Sequence, residues 1–143
     1  MNMKDEEGFL KRLQAIFQVE AAEHINVLSS GLLELEKNPH NTMSLGLIET
    51  IFREAHSLKG AARSVNRNDI ESICQGLESL FAKLKNKQVS FSAGQFDLVH
   101  KSLDTLSLMI SGTGTTSSRD NRELLQQLQS ITDEDQSGTS KKE

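Results

Sequence analysis

Apolar residues return every three or four positions along most of this chain, and a single proline in 143 residues interrupts them. That spacing lines one face of a helix, whereas a strand would need apolar residues at alternate positions. From Phe9 to Glu36 the stripe runs through Leu10, Leu13, Phe17, Ala21, Leu28, Leu32 and Leu35, predicting a long amphipathic helix that ends before KNPHN. A second helix, from about Thr42 to Val65, presents Ile48, Ile51, Ala55, Leu58, Ala62 and Val65. The segment NRND turns the chain, with Asn68 or Asp69 as the expected N-cap of a third helix. That helix is buried through Ile70, Ile73, Leu77, Leu80 and Leu84 and stops in KNKQ.

The fourth helix has the best marked start. Ser92 and Gln95 stand at capping-box spacing, and Phe91 and Phe96 occupy the flanking staple positions. Its stripe continues through Val99, Leu103, Leu106 and Met109, with Gly112 as the expected C-cap. SGTGTTSS reads as a linker. A fifth helix from Asp120 to Ile131 has Asp120 and Glu123 at capping-box spacing and Leu124, Leu128 and Ile131 on one side. The expected organisation is a bundle over residues 1–112, a flexible linker over 113–119, a short helix over 120–131 and a disordered polar tail over 132–143. The fold class is all-α: an antiparallel four-helix bundle with a short fifth C-terminal helix.

Composition narrows the function classes. The net charge of −4 argues against general polyanion binding, and six Phe with no Trp or Tyr leave few rings for stacking on bases, so no nucleic-acid partner is expected. The lone Cys74 has no disulfide partner in the chain, which suits a reducing, cytoplasmic setting, and it reads as a packing residue. No apolar run approaches a membrane span, and the N-terminus is charged, so no membrane association is expected. The histidines have no HxxxH or HExxH pairing, so no metal site is expected. LKGAARS lacks the spacing of a phosphate-binding loop and lies within a helix, so no nucleotide site follows.

Attention therefore falls on FREAHSLKGAARSV, Phe52 to Val65. His56 is one residue past Ala55, which turns it roughly 100° from the core stripe, so packing does not require it. On its own face lie Arg53, Gly60, Arg63 and Arg67, with Lys59 on the neighbouring edge: a cationic stripe around one histidine. Gly60 costs the helix about 1 kcal/mol against Ala. Its bare backbone one turn from an exposed imidazole leaves room for another macromolecule or a phosphoryl group to reach the ring. On the third helix Glu78 has the same offset from Leu77 that His56 has from Ala55, so the two can meet across the groove. A carboxylate accepting Nδ1–H would fix the tautomer and leave Nε2 as the free nucleophile. Gln75, one turn before Glu78, can add a hydrogen bond.

The string HSLKGAA, His56 to Ala62, resembles the signature of histidine-containing phosphotransfer (HPt) domains. FQVEAAEHINVLSSGLLELE, Phe17 to Glu36, and ICQGLESLF, Ile73 to Phe81, are similar to the first helix and to the carboxylate-bearing helix of such domains. Most of Phe9 to Gly112 is covered, and the chain most resembles the N-terminal phosphotransfer domain of CheA-like chemotaxis histidine kinases, five-helix structures with the accepting histidine on the second helix. The resemblance implies His56 as phosphoacceptor through Nε2, Glu78 as its hydrogen-bonding carboxylate, Lys59 as phosphoryl neighbour and Gly60 as access residue. It also implies the partners: the ATP-binding domain of a histidine kinase and the receiver domain of a response regulator, for which Arg53, Arg63 and Arg67 form the expected contact stripe. AARSVNRN, Ala61 to Asn68, departs from the glycine-rich and aromatic continuation of the best-known CheA proteins, and Gln75 stands where some carry a second histidine.

On this reading the chain holds no catalytic core of its own and binds no cofactor. It is the phosphoacceptor part of a histidine protein kinase, with ATP used by a kinase core in trans or in a parent chain, and it is expected to be monomeric as an isolated domain. It would be either an excised domain or a free-standing shuttle. The alternative is a helical adaptor that is never phosphorylated. His24, His40 and His100 are assigned solvated or edge-packed roles.

Overall fold

The structure is a computed structural model that describes residues 2–37, 44–86, 91–112 and 118–141. Five helices follow one another: α1 (Met3–Lys37), α2 (Ser44–Ser64), α3 (Asn68–Lys85), α4 (Ala93–Ser111) and α5 (Ser118–Lys141). α1 packs against α2 and α4, while α3 packs against α2, α4 and α5. Along α1 the contacts step forward while those on its neighbours step back, His24 meeting Glu54 and Gly31 facing Ile51 of α2, Gln18 meeting Ile110 and Glu36 meeting His100 of α4, so α1 runs antiparallel to both. One core of Leu, Ile and Val side chains, with Phe17, Phe81 and Phe96, fills the centre.

The apolar stripe of α2 falls where its spacing puts it: Ile48, Ile51, Ala55, Leu58 and Ala62 are buried, and Val65 packs half-buried beside them. The expected start at Thr42 lies outside the described residues, and the described helix opens at Ser44. α4 carries both expected caps. Gln95 Oε1 accepts from the Ser92 backbone N–H at 2.7 Å, and the Phe91 and Phe96 rings meet edge to face at 5.3 Å. At the other end Gly112 has φ +70 and donates its N–H to the Leu108 carbonyl, the left-handed closure that favours glycine.

Several boundaries differ from the sequence reading. α1 begins at Met3, because Asn2 Oδ1 accepts from the Asp5 N–H at 2.9 Å and the acidic first turn suits the helix N-terminus. The first buried residue of α1 is Phe17; Leu10 is 56% exposed and Leu13 is half-buried. α4 ends near Gln18, whose amide donates to the Ile110 carbonyl at 3.2 Å, so the preceding turns of α1 run past it. Ile25 and Phe81, outside the expected stripes, are buried instead.

The turn between α2 and α3 is closed by Asn66, φ 60, with Asn66 N–H bonded to the Arg63 carbonyl and Arg67 N–H to the Ala62 carbonyl, a Schellman motif. Arg67 is then the N-cap of α3, and Asn68 and Asp69 are already helical. Asp69 does not cap because its oxygens accept from the Arg67 guanidinium at 3.1 and 3.0 Å and from the Ile70 N–H at 2.9 Å. The Arg67 hydrogen bond holds the Asp69 carboxyl below its ordinary range despite partial burial.

α5 begins two residues before Asp120 and continues past Ile131 to Lys141, so helix occupies much of the segment read as a disordered tail. Leu124 and Leu128 are buried and Ile131 packs half-buried, which docks the first half of α5. Gly76 gives α5 room: a Cβ there would meet Leu128 at 3.2 Å. Extension of a helix already nucleated by docking adds one hydrogen bond per residue, and no proline stops it. Residues 113–117 of the expected linker lie outside the described residues. Among the described residues no helix is long and apolar enough to cross a membrane.

Candidate functional site

The antiparallel contact of α2 and α3 sets one register along the groove between them. Arg63 approaches Glu71 at 3.9 Å, Lys59 meets Gln75 at 3.0 Å, His56 meets Glu78 at 2.6 Å and Lys85 meets Glu49 at 2.8 Å. Each step along α2 is matched by an equal step back along α3, and the residues beneath, Ala55, Leu58, Leu77 and Leu80, are fully or almost fully buried in one core.

Within this ladder His56 Nδ1 bonds Glu78 Oε2, and Lys59 Nζ donates to Glu78 Oε1 at 3.0 Å. One carboxylate thus holds an imidazole on one oxygen and an ammonium on the other. The His56 side chain is 66% exposed, while Glu78 is only 14% exposed and Lys59 21%. Burial pushes the Glu78 carboxyl up, but hydrogen bonds from Lys59 and His56, together with their charges, outweigh it and leave the group below its ordinary value. Glu78 is therefore an anion at neutral pH, an acceptor only, and the proton between it and His56 sits on Nδ1. The free nitrogen is Nε2, and no partner for it is found among the described residues.

Gly60 lies one turn beyond His56 on the exposed face, and a Cβ built there would meet nothing within 4 Å. Nothing among the described residues requires glycine at this position, so the helix gives up stability for a reason outside its own packing. Gln75 also belongs to the site, through Lys59 and not through His56: its Oε1 accepts from Nζ and its Nε2 donates to Ser79 Oγ at 3.1 Å.

The three arginines separate. Arg53 is 75% exposed and pairs along its own helix with Glu49 at 3.0 Å; Arg63 is 81% exposed. Arg67 leaves the stripe, because α2 ends at Ser64 and the left-handed Asn66 swings the next residue aside. Its guanidinium is tied to Asp69 and donates to the Met109 carbonyl at 3.2 Å, which fastens the α2–α3 turn to the end of α4.

Glu49 and Lys85 were not singled out by sequence. Once His56 is set opposite Glu78, the same register puts Lys85 opposite Glu49, so counting along the two helices would have found them. Lys85 also lies over the Phe52 ring at 5.0 Å, and its hydrogen bond to Glu49 is the main reason the Glu49 carboxyl lies below its ordinary value. His24 and His100 do have partners, Glu54 and Glu36; His40 lies outside the described residues. Cys74 is buried and burial pushes its thiol up to about 12, so it remains a protonated packing group. Among the described residues no group of three or more His, Cys, Asp or Glu is placed to hold a metal ion.

A family model described as "Hpt domain" matches residues 12–108, a span that contains every residue of this site. The sensor histidine kinase CheAY of Helicobacter pylori is 28% identical over 130 residues, covering 86% of this chain and 16% of that protein. The chemotaxis protein CheA of Bacillus subtilis is 30% identical over 95 residues, 66% of this chain and 14% of that protein. The chain therefore spans only a small fraction of the length of the curated relatives it matches. Among solved structures, the CheA phosphotransferase domain from Thermotoga maritima is 29% identical with a TM-score of 0.66, over 72% of this chain and 94% of that one. The phosphorylated P1 domain of CheA3 from R. sphaeroides, solved in complex with CheY6, has a TM-score of 0.72 over 83% of this chain and 94% of that one. At 20% identity it is a likeness of fold.

Proposed function

The chain belongs to the Hpt domain family, and from that premise we propose that His56 accepts a phosphoryl group from a histidine kinase core and passes it to an aspartate of a response-regulator receiver. One observation carries the reading: an imidazole held at Nδ1 by a half-buried anionic carboxylate, with Nε2 turned to solvent beside a bare turn of helix.

The Nε2 lone pair attacks the γ-phosphorus of ATP held by the kinase core, in trans or in the parent chain. A P–N bond forms, the bond to the β,γ-bridging oxygen breaks, and ADP leaves. The ring keeps its Nδ1 proton and becomes cationic, and Glu78 at 2.6 Å stabilises that charge as it develops. Lys59, on the other oxygen of Glu78, lies one turn away and neutralises charge on the phosphoryl oxygens. In the second transfer a receiver carboxylate oxygen attacks phosphorus, the P–N bond breaks and neutral His56 is recovered. Neither step consumes a proton.

Arg53 and Arg63, the exposed cations of the stripe, flank this face and suit the acidic pocket of a receiver. On this reading the domain is the cytoplasmic phosphoacceptor part of a chemotaxis-type kinase, which the similarity to a sensor histidine kinase and to a chemotaxis protein supports. Incubation with an active CheA-type kinase core and labelled ATP should give phosphate on this chain that is labile in acid and stable in base, and adding a receiver domain should remove it. Absence of label, or label with the opposite stability, would overturn the proposal.

A further inference from the structure

Gln75 lies between Lys59 on α2 and Ser79 on its own helix. Lys59 has only N–H donors, so the Gln75 atom 3.0 Å from Nζ is its amide oxygen. The amide nitrogen then points one turn along α3 and donates to Ser79 Oγ at 3.1 Å. The two ends of a glutamine amide are nearly equal in shape, so packing alone does not choose between the two orientations. Lys59, a donor only, chooses the orientation, and the Ser79 hydroxyl, half-buried on α3, ties down the far end of the amide by accepting from it.

The consequence falls on Lys59. Its ammonium has three N–H donors, and two are used by Gln75 Oε1 and Glu78 Oε1, each at 3.0 Å and both on α3. One donor is left for an oxygen of a phosphoryl group on His56 Nε2. A flipped amide would set N–H groups against the ammonium and release it from one of its two anchors.

We infer that Ser79 is a positioning residue for Lys59: by accepting from Gln75 it tethers the side chain whose amide oxygen anchors the ammonium, and so holds one Lys59 donor ready beside His56. This role rests on the phosphotransfer reading of His56. It assigns a purpose to Gln75 and Ser79 that neither the core nor the His56–Glu78 pair needs.

The test uses the isotope-labelled domain, a CheA-type kinase core and ATP. Ser79→Ala should shift the Gln75 side-chain amide resonances in the unphosphorylated domain. It should slow phosphoryl uptake roughly two- to fivefold, as expected for one neutral hydrogen bond, with KM for the kinase core unchanged. Ser79→Thr, which keeps the hydroxyl, should restore the rate. In a Lys59→Met background, Ser79→Ala should cost nothing more. Gln75 resonances that stay in place, an unchanged rate, or the same loss without Lys59 would each overturn the role. Failure of the underlying reading shows separately, as a wild-type domain that takes up no phosphate even though its Gln75 resonances still respond to Ser79→Ala.

Discussion

Two histidines in this bundle hold a carboxylate through Nδ1, and they part company at the other nitrogen. His24 Nδ1 lies 2.5 Å from Glu54 between α1 and α2, and His56 Nδ1 lies 2.6 Å from Glu78 between α2 and α3. His24 Nε2 faces Glu20 at 3.6 Å and its side chain is 20% exposed, whereas His56 Nε2 is open. One turn on from His24 is Leu28, a core residue; one turn on from His56 is Gly60, with open space beside it. A carboxylate contact therefore does not by itself make a nucleophile. What distinguishes the site is a free second nitrogen and a cleared approach to it.

The comparison predicts its largest effect at the imidazoles. His56→Gln should abolish phosphoryl uptake, while His24→Gln should leave its rate within about twofold, because a closed ring has no nitrogen to offer. Labelling of both variants checks this, and loss of label in His24→Gln with the fold intact by circular dichroism would erase the distinction. The carboxylates come next. Glu78→Ala should slow uptake by about one to two decades, the worth of a hydrogen bond to a charged group that strengthens as the ring becomes cationic. Glu54→Ala should change only stability, read as a shift in the denaturation midpoint. Gly60 separates access from chemistry. Gly60→Ala should stabilise α2 by up to about 1 kcal/mol, since its Cβ meets nothing. Gly60→Leu, equally free of internal clash at Cβ, should cut uptake roughly tenfold or more by holding the donor phosphate off Nε2. Uptake unaltered by leucine would remove Gly60 from the site.

These contrasts also mark what could be read from residues alone. The α2 stripe and the α4 caps are local, three- and four-residue patterns, and they stand where their spacing puts them. The offsets of His56 from Ala55 and of Glu78 from Leu77 were enough to bring the two side chains together, because both helices turn their core faces to the same layer. Leu10 was misread because periodicity reports a helical face but not where its neighbours stop. Arg67 was misread because the stripe assumed a helix through a turn that Asn66 closes in the left-handed region. Asp69 lost its cap role to an arginine two residues away. Ser79 carries no signal until Gln75 is known to face Lys59, since its meaning lies in the orientation of an amide that only the hydrogen-bond network determines.

The smallest effect concerns acid. Glu78 is held below its ordinary value in the folded domain, with burial opposing and the Lys59 and His56 hydrogen bonds prevailing. For a carboxyl lowered by folding, the unfolded chain binds the proton more readily than the native one. Its stabilising contribution is then complete above the ordinary carboxylate range and is lost as pH falls through that range and on through the lower, folded value. Glu78→Gln removes the titration, so the stability of the wild type relative to this variant should fall as the solution is acidified below that range and stay level above it. Unfolding by urea at a series of pH values measures the difference. A gap that widens toward acid would mean that burial, not the two cationic partners, governs the group. Lys59 and His56 would then not be what holds Glu78 ionised, and the Nδ1 tautomer control would lose the support of its two cationic partners.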